Sequence, residues 1–202
     1  MENKEINDIL SGAYAQARAD FIPVCSHFCR NLLCDLARQT DPERILEIGT
    51  AVGYSAACMA LACRARVDTA DIDGERLARA QKLWRRLGTE ERISAFCGDV
   101  RLILPQIMAG KKYGLVFLDG PKSACGELFE AILPHLEKGG VIVTDDINYL
   151  GLVRGEFLPP HKHRTIVLNM RRFVRRISEP PFETRIYWEE GVAVTKISGG
   201  AR

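Results

Sequence analysis

The sequence has no run approaching the roughly 18 apolar residues that a membrane-crossing helix needs. Its first residues, Met1-Glu2-Asn3-Lys4-Glu5, lack the basic start and apolar stretch of a secretory leader. A soluble, cytoplasmic protein with no membrane partner is expected. The net charge is only +2, too small to dictate a nucleic-acid partner, so any basic footprint must be local. No internal repeat and no Pro/Gly/Ser linker divides the 202 residues. With 47% hydrophobic and 27% charged residues the chain can bury a core, which excludes wholesale disorder. The expectation is one domain over residues 1–202, with N-terminal helices to residue 40, a cofactor-binding core over 41–150, and a basic helix and edge hairpin over 151–202.

Several chemical patterns are also missing. The seven cysteines are an odd number, and without a leader a disulfide framework is not expected. Cys25 and Cys29 would share a helix face, but Cys34 falls far around the wheel, and no CxxC pair occurs. Small buried thiols are the better reading. No Ser-His-Asp or Cys-His arrangement is suggested, because His27, His135, His161 and His163 all lie far in sequence from the strand ends described next.

What is present is an alternation of strand-like and helix-like segments. Strands are expected at 44–48, 67–71, 92–96, 115–118 and 141–143, with helices at 53–63, 75–87, 100–108 and 123–136 between them. That alternation means an α/β fold with a doubly wound, mostly parallel sheet and helices on both faces. Two helices, at 3–18 and 24–38, precede the first strand and could pack on the sheet or form a lid. A helix at 163–177 follows, and then 184–188 and 192–197 flank Glu189-Glu190-Gly191 as a C-terminal antiparallel hairpin at the sheet edge, giving seven strands.

Open parallel sheets bind ligands beyond the carboxyl ends of their strands, at the switch point. After the first strand comes Glu47-Ile48-Gly49-Thr50-Ala51-Val52-Gly53-Tyr54-Ser55. Its G-x-x-x-G spacing is not the G-x-G-x-x-G of dinucleotide sites, so a nicotinamide or flavin dinucleotide is disfavoured. Asp71, ending the second strand, is placed to accept ribose hydroxyls, and Asp99, after the third, to meet an adenine amino group. Each aspartate could equally be a helix N-cap. The fourth strand ends in Asp119-Gly120-Pro121-Lys122 and the fifth in Asp145-Asp146. If these strands are neighbours, three carboxylates converge, a donor set suited to a hard divalent cation such as Mg²⁺.

The run Leu46 to Ser55 resembles the first motif of class I S-adenosylmethionine (SAM)-dependent methyltransferases, in their metal-dependent O-methyltransferase branch. The resemblance implies that Glu47, Gly49, Tyr54 and Ser55 belong to the cofactor site. Gly49 and Ser55 would lie against the methionine part, Asp71 on ribose, Asp99 and Val100 around adenine, with Asp119 adjoining. It implies a divalent metal, Mg²⁺ by preference, on Asp119, Asp145 and Asp146, with Asp119 and Lys122 catalytic and Lys122 either a general base or an oxyanion stabiliser. Two positions depart from the branch: Asp71 replaces the usual glutamate, and Asp146 the usual asparagine. The added charge of Asp146 raises metal affinity and leaves the acceptor oxygen less acidic.

Residues 157–178 hold six Lys/Arg, two His and no acid. On a helical wheel Ile166, Met170, Phe173, Val174 and Ile177 fall on one face and Arg164, Arg171, Arg172, Arg175 and Arg176 roughly opposite, a footprint for phosphate contacts. The segments 145–151, 164–173 and 181–184 are similar to bacterial tRNA 5-hydroxyuridine methyltransferases, which implies a tRNA partner and a homodimer. Three functions are weighed: a tRNA hydroxyuridine O-methyltransferase, an O-methyltransferase of small catechol-like phenols, and a non-catalytic cofactor-binding or dimerisation module.

Overall fold

The computed structural model describes residues 2–198; Met1 and residues 199–202, which the one-domain expectation includes, lie outside the described residues. Helices α1 (Asn3–Ala19) and α2 (His27–Thr40) lead into β1 (Arg44–Ile48), α3 (Tyr54–Ala62), β2 (Arg66–Asp71), α4 (Gly74–Leu87), β3 (Ile93–Cys97), α5 (Val100–Met108) and β4 (Tyr113–Leu118). The chain continues through α6 (Cys125–Ile132), β5 (Leu136–Thr144), α7 (Arg164–Ile177), β6 (Phe182–Tyr187) and β7 (Val192–Ile197). The seven strands lie in the order β3-β2-β1-β4-β5-β7-β6. Strands β1 to β5 pair in parallel, whereas β7 enters antiparallel between β5 and the edge strand β6.

Burial explains the apolar runs. The inner parallel strands are covered on both faces, so adjacent residues face different cores: Ile45 packs with α1 to α4, and Leu46 and Ile48 with α5 to α7. The N-terminal pair is part of the first of these layers, with Leu10, Ala17, Cys29, Leu33 and Ala37 buried in it, so it packs on the sheet. Cys25 and Cys29 are buried there as small apolar side chains.

Several boundaries differ from expectation, among them the start of β5 at Leu136 and of β4 at Tyr113, and three others have local reasons. Helix α2 starts at His27 because the Ser26 hydroxyl accepts the Cys29 amide at 3.1 Å and caps it. Helix α6 stops at Ile132, well short of residue 136: Pro134 tightens the chain into a 3₁₀ turn and Leu136 already belongs to β5. Strand β6 begins at Phe182, two residues before the expected start, because Phe182 pairs with Ile197 across the hairpin.

Candidate active site

The order of the strands reverses between β1 and β4, so the switch point opens beyond Ile48 and Leu118, which are register partners. A cavity of about 360 Å³ lies there, lined by Gly49, Asp71, Asp99, Val100 and Asp119 among others. The carboxyl ends of β1, β2, β3 and β4 thus meet in one space.

Close backbone approach shapes its floor. Gly49 sits at φ +101, and a Cβ there would collide with the carbonyl oxygen of Asp119. Gly53, at φ +77, starts α3, and a Cβ on it would come within 2.6 Å of Ala80 and of the Trp84 indole. The same indole donates to the Gly53 carbonyl at 2.9 Å, fixing the loop from behind.

The two aspartates near β2 divide their work. Asp73 caps α4, accepting the amides of Glu75 and Arg76 at 3.0 Å each. That frees Asp71, which accepts the Ala51 amide at 2.7 Å and the Asp73 amide at 3.0 Å and still lines the cavity. A carboxylate so oriented can accept two vicinal hydroxyls.

Other candidate residues are placed differently. Glu47 does not reach the cavity: it is fully enclosed and accepts Ser55 Oγ and Thr69 Oγ1, each at 2.6 Å. Burial pushes its carboxyl up to about 7, against the pull of those two hydroxyls. Ser55 and Tyr54 are likewise buried behind the loop. Asp99 stands on the cavity wall, but it caps α5 through the Arg101 amide, and its two oxygens hold the Arg101 guanidinium at 3.0 and 2.5 Å. The Asp99 carboxylate is thus already engaged by Arg101 on both oxygens. Ile72, Arg76, Arg101 and Pro121 also line the cavity and were not expected. Ile72 carried one readable signal, a bulky apolar residue directly after a strand, and it is 72% exposed.

Beside the cavity, β4 and β5 are parallel neighbours, so Asp119 and Asp145 stand at adjacent strand ends. Lys122 Nζ lies 2.6 Å from Asp119 Oδ1 and 3.1 Å from the Asp145 carbonyl oxygen. Burial pulls the Lys122 ammonium down, but the charge and hydrogen bond of Asp119, with Asp146 and Asp145 behind, outweigh it and hold it above its ordinary value. Lys122 is therefore held as a donor, which suits stabilisation of an oxyanion. Asp145 is pushed up to about 6, first by burial and then by the charge of Asp119. Asp146 is exposed at φ +53, a left-handed conformation that Asp and Asn both tolerate. Neither residue caps a helix; the Asp146 amide instead donates to Asp145 Oδ1 at 2.8 Å.

Three hard oxygen donors against one lysine match the charge chemistry of a divalent cation. The side chains are not gathered for it, because among the described residues no three His, Cys, Asp or Glu side chains converge as a metal site, and Asp119 is turned to Lys122.

The arginine face of α7 is not uniform. Arg171 donates to the carbonyls of Val153 (3.1 Å), Phe157 (2.9 Å) and Leu152 (3.0 Å), so it staples the segment after the carboxylates and is not free for phosphate. Arg176 pairs with Glu130 at 2.8 Å and lies over the Phe182 ring. The Nε of Arg164 is buried. Arg172 and Arg175 remain exposed. No helix among the described residues is long and apolar enough to cross a membrane.

Comparison with known proteins finds relatives along most of the chain. The mouse catechol O-methyltransferase domain-containing protein 1 is 28% identical over 177 residues, covering 85% of this chain and 64% of its own length. A catechol O-methyltransferase of Niastella koreensis is 30% identical over 142 residues, covering 68% of this chain and 62% of its own. The chain thus spans less than two thirds of these curated relatives. The O-methyltransferase TomG of Streptomyces achromogenes, solved in complex with SAM, superposes with a TM-score of 0.81 at 25% identity, covering 95% of this chain and 90% of that one. The O-methyltransferase family model matches residues 23–186, from the loop before α2 into β6, and so takes in every strand end that lines the cavity: the chain belongs to the O-methyltransferase family.

Proposed function

We propose that the protein transfers the methyl group of SAM to a hydroxyl that has a second oxygen beside it, and that its acceptor is the 5-hydroxyuridine of tRNA. The observation that carries this reading is the position of Asp119, which lines the cofactor cavity and at the same time holds Lys122 in the carboxylate cluster. A sulfonium methyl bound in the cavity and an acceptor bound at the cluster would share that wall.

In the reaction an oxygen lone pair of the acceptor attacks the methyl carbon in line, the C–S bond breaks, and its electron pair stays on sulfur. The acceptor hydroxyl releases its proton to solvent water. Asp71 would hold the ribose hydroxyls and fix where the methyl group points. Lys122, held as an ammonium, donates a hydrogen bond to the acceptor oxygen and favours its anionic form. Asp119, Asp145 and Asp146 are the residues that would hold a divalent cation if Asp119 released Lys122, and its charge would help acidify the hydroxyl.

The 5-hydroxyl and 4-carbonyl of the modified base present the same oxygen pair as a catechol. The exposed Arg172 and Arg175 favour the tRNA acceptor, while the catechol O-methyltransferases among the relatives favour a small phenol. The test is methyl transfer from labelled SAM to tRNA bearing 5-hydroxyuridine and to a catechol panel, with Mg²⁺ or EDTA. Labelled tRNA that disappears with EDTA supports both the acceptor and the metal; labelled catechol with unlabelled tRNA overturns the tRNA assignment.

A further inference from the structure

A groove of about 630 Å³ runs beside the carboxylate cluster, between α7, the 153–156 segment and Trp188. Its charged and aromatic lining is Arg154, Arg171, Arg172, Arg175, Glu156 and the Trp188 indole, with Arg171 already held by the carbonyls of Leu152, Val153 and Phe157. Arg154 lies over the Trp188 ring, 5.5 Å from its centroid. Arg172 has one neutral neighbour, Asn169 Oδ1 at 3.2 Å, and both Arg172 and Arg175 are exposed. Opposing charge is sparse and weakly held: Glu156 lines the groove, and Glu189 approaches Arg154 only at 4.0 Å with both side chains largely in water. Exposed guanidiniums around one indole are the chemistry that binds phosphates with a base stacked between them.

The groove adjoins the acceptor site. The turn after Trp188 is anchored to the cluster by the Ile147 amide, which donates to the Gly191 carbonyl at 2.8 Å. Gly191 lies so close that a Cβ on it would be 3.6 Å from Asp146 Cα. From that rim the groove follows α7 from Leu168 to Arg175, about 10 Å at helical rise.

We propose that this groove seats the single-stranded RNA flanking the methylated nucleotide, with Arg154, Arg172 and Arg175 on phosphates and Trp188 under a base. The proposal rests on the tRNA reading given above. It assigns the strand to the mouth of the site and not to the length of α7, since Arg171 and Arg176 on that helix are committed elsewhere.

The test is binding of the full chain to a fluorescein-labelled oligouridylate of about ten nucleotides, followed by anisotropy across a salt series. Arg172→Glu with Arg175→Glu should weaken binding at least about tenfold and reduce the slope of log K against log salt by about 1.4, two phosphate contacts' worth. Trp84 is buried, so quenching of the exposed-side indole reports base stacking; Trp188→Leu should abolish the quenching. Arg85→Glu, an exposed charge change on α4, should leave affinity and slope alone. A variant whose thermal midpoint moves is replaced by the glutamine pair, which must show the same direction of change. Unchanged affinity in the double variant overturns the groove. So does displacement of the strand by coenzyme A at equal phosphate concentration, which would assign the groove to a small nucleotide carrier. Methylated tRNA with unaffected groove variants would sink the groove and keep the acceptor, whereas strand binding as expected without tRNA methylation would sink the acceptor and keep the groove.

Discussion

Lys122 and Asp119, three residues apart after β4, form an ion pair of 2.6 Å at the wall shared by the cofactor cavity and the carboxylate cluster. The pair keeps the lysine protonated in a largely enclosed place, so its contribution is a fixed positive charge aimed at the acceptor side. Lys122→Met should lower kcat by about 10²–10³, the usual effect of removing one preorganised oxyanion donor. Affinity for SAM should stay within a few-fold, because Lys122 does not line the cavity. Lys122→Arg should recover part of the rate at unchanged pH profile. No rate recovered by Lys122→Arg, which keeps the charge but cannot accept a proton, would instead assign Lys122 the role of base.

Asp71 is held by the amides of Ala51 and Asp73 with its remaining lone pairs toward the cavity. Asp71→Ala should weaken SAM by about 10- to 100-fold, the worth of hydrogen bonds to a charged acceptor. Because the ribose is common to both, S-adenosylhomocysteine should weaken equally by calorimetry. A loss seen for SAM alone would place Asp71 near the sulfonium charge and not at the ribose.

The pH dependence of stability should carry the mark of Glu47. Its folded carboxyl titrates near 7 against an ordinary 4.5, so the folded state binds the extra proton between those values. Stability from this group is therefore full below about 4.5 and is lost as pH rises through 7, by about 3 kcal/mol at most. Glu47→Gln mimics the protonated acid toward Ser55 and Thr69 and should flatten that slope. Urea midpoints at pH 5 and pH 8 would show it; equal slopes in both proteins would refute a buried proton at Glu47.

The parts of the molecule that were legible in the sequence are those where burial is periodic or complete. Strand β1 matched residue for residue, because a strand buried on both faces reads as one apolar run between a turn and a glycine loop. The end of α6 was not legible: Leu133-Pro134-His135-Leu136 continues the apolar pattern across a change from helix to strand. Gly49, Asp71 and Asp119 line the cavity, a placement readable in advance because strand ends at a switch point are fixed by topology. Glu47 was misplaced for the same reason, since a strand's last residues alternate faces and this one turns toward α3 and Ser55. The division of labour between Asp71 and Asp73 depends on which of two nearby carboxylates meets the α4 amides, and no periodicity records that.

Arg171 illustrates the limit further, and it separates two kinds of arginine on one helix. Its guanidinium donates to three carbonyls of the 152–157 segment and lies 5.4 Å from the Phe157 ring centroid. Those carbonyls belong to an irregular segment with no strand or helix to pair them, so removing the donor leaves polar groups unmet. Arg171→Ala should cost about 1–3 kcal/mol of stability. Amide exchange should quicken over residues 152–158 and stay unchanged in the parallel strands. Arg175→Ala, an exposed guanidinium one turn later, should stay within about 0.5 kcal/mol. If both substitutions cost the same, or if exchange after Arg171→Ala quickens throughout the sheet, the carbonyl contacts are not what holds this segment beside the carboxylates.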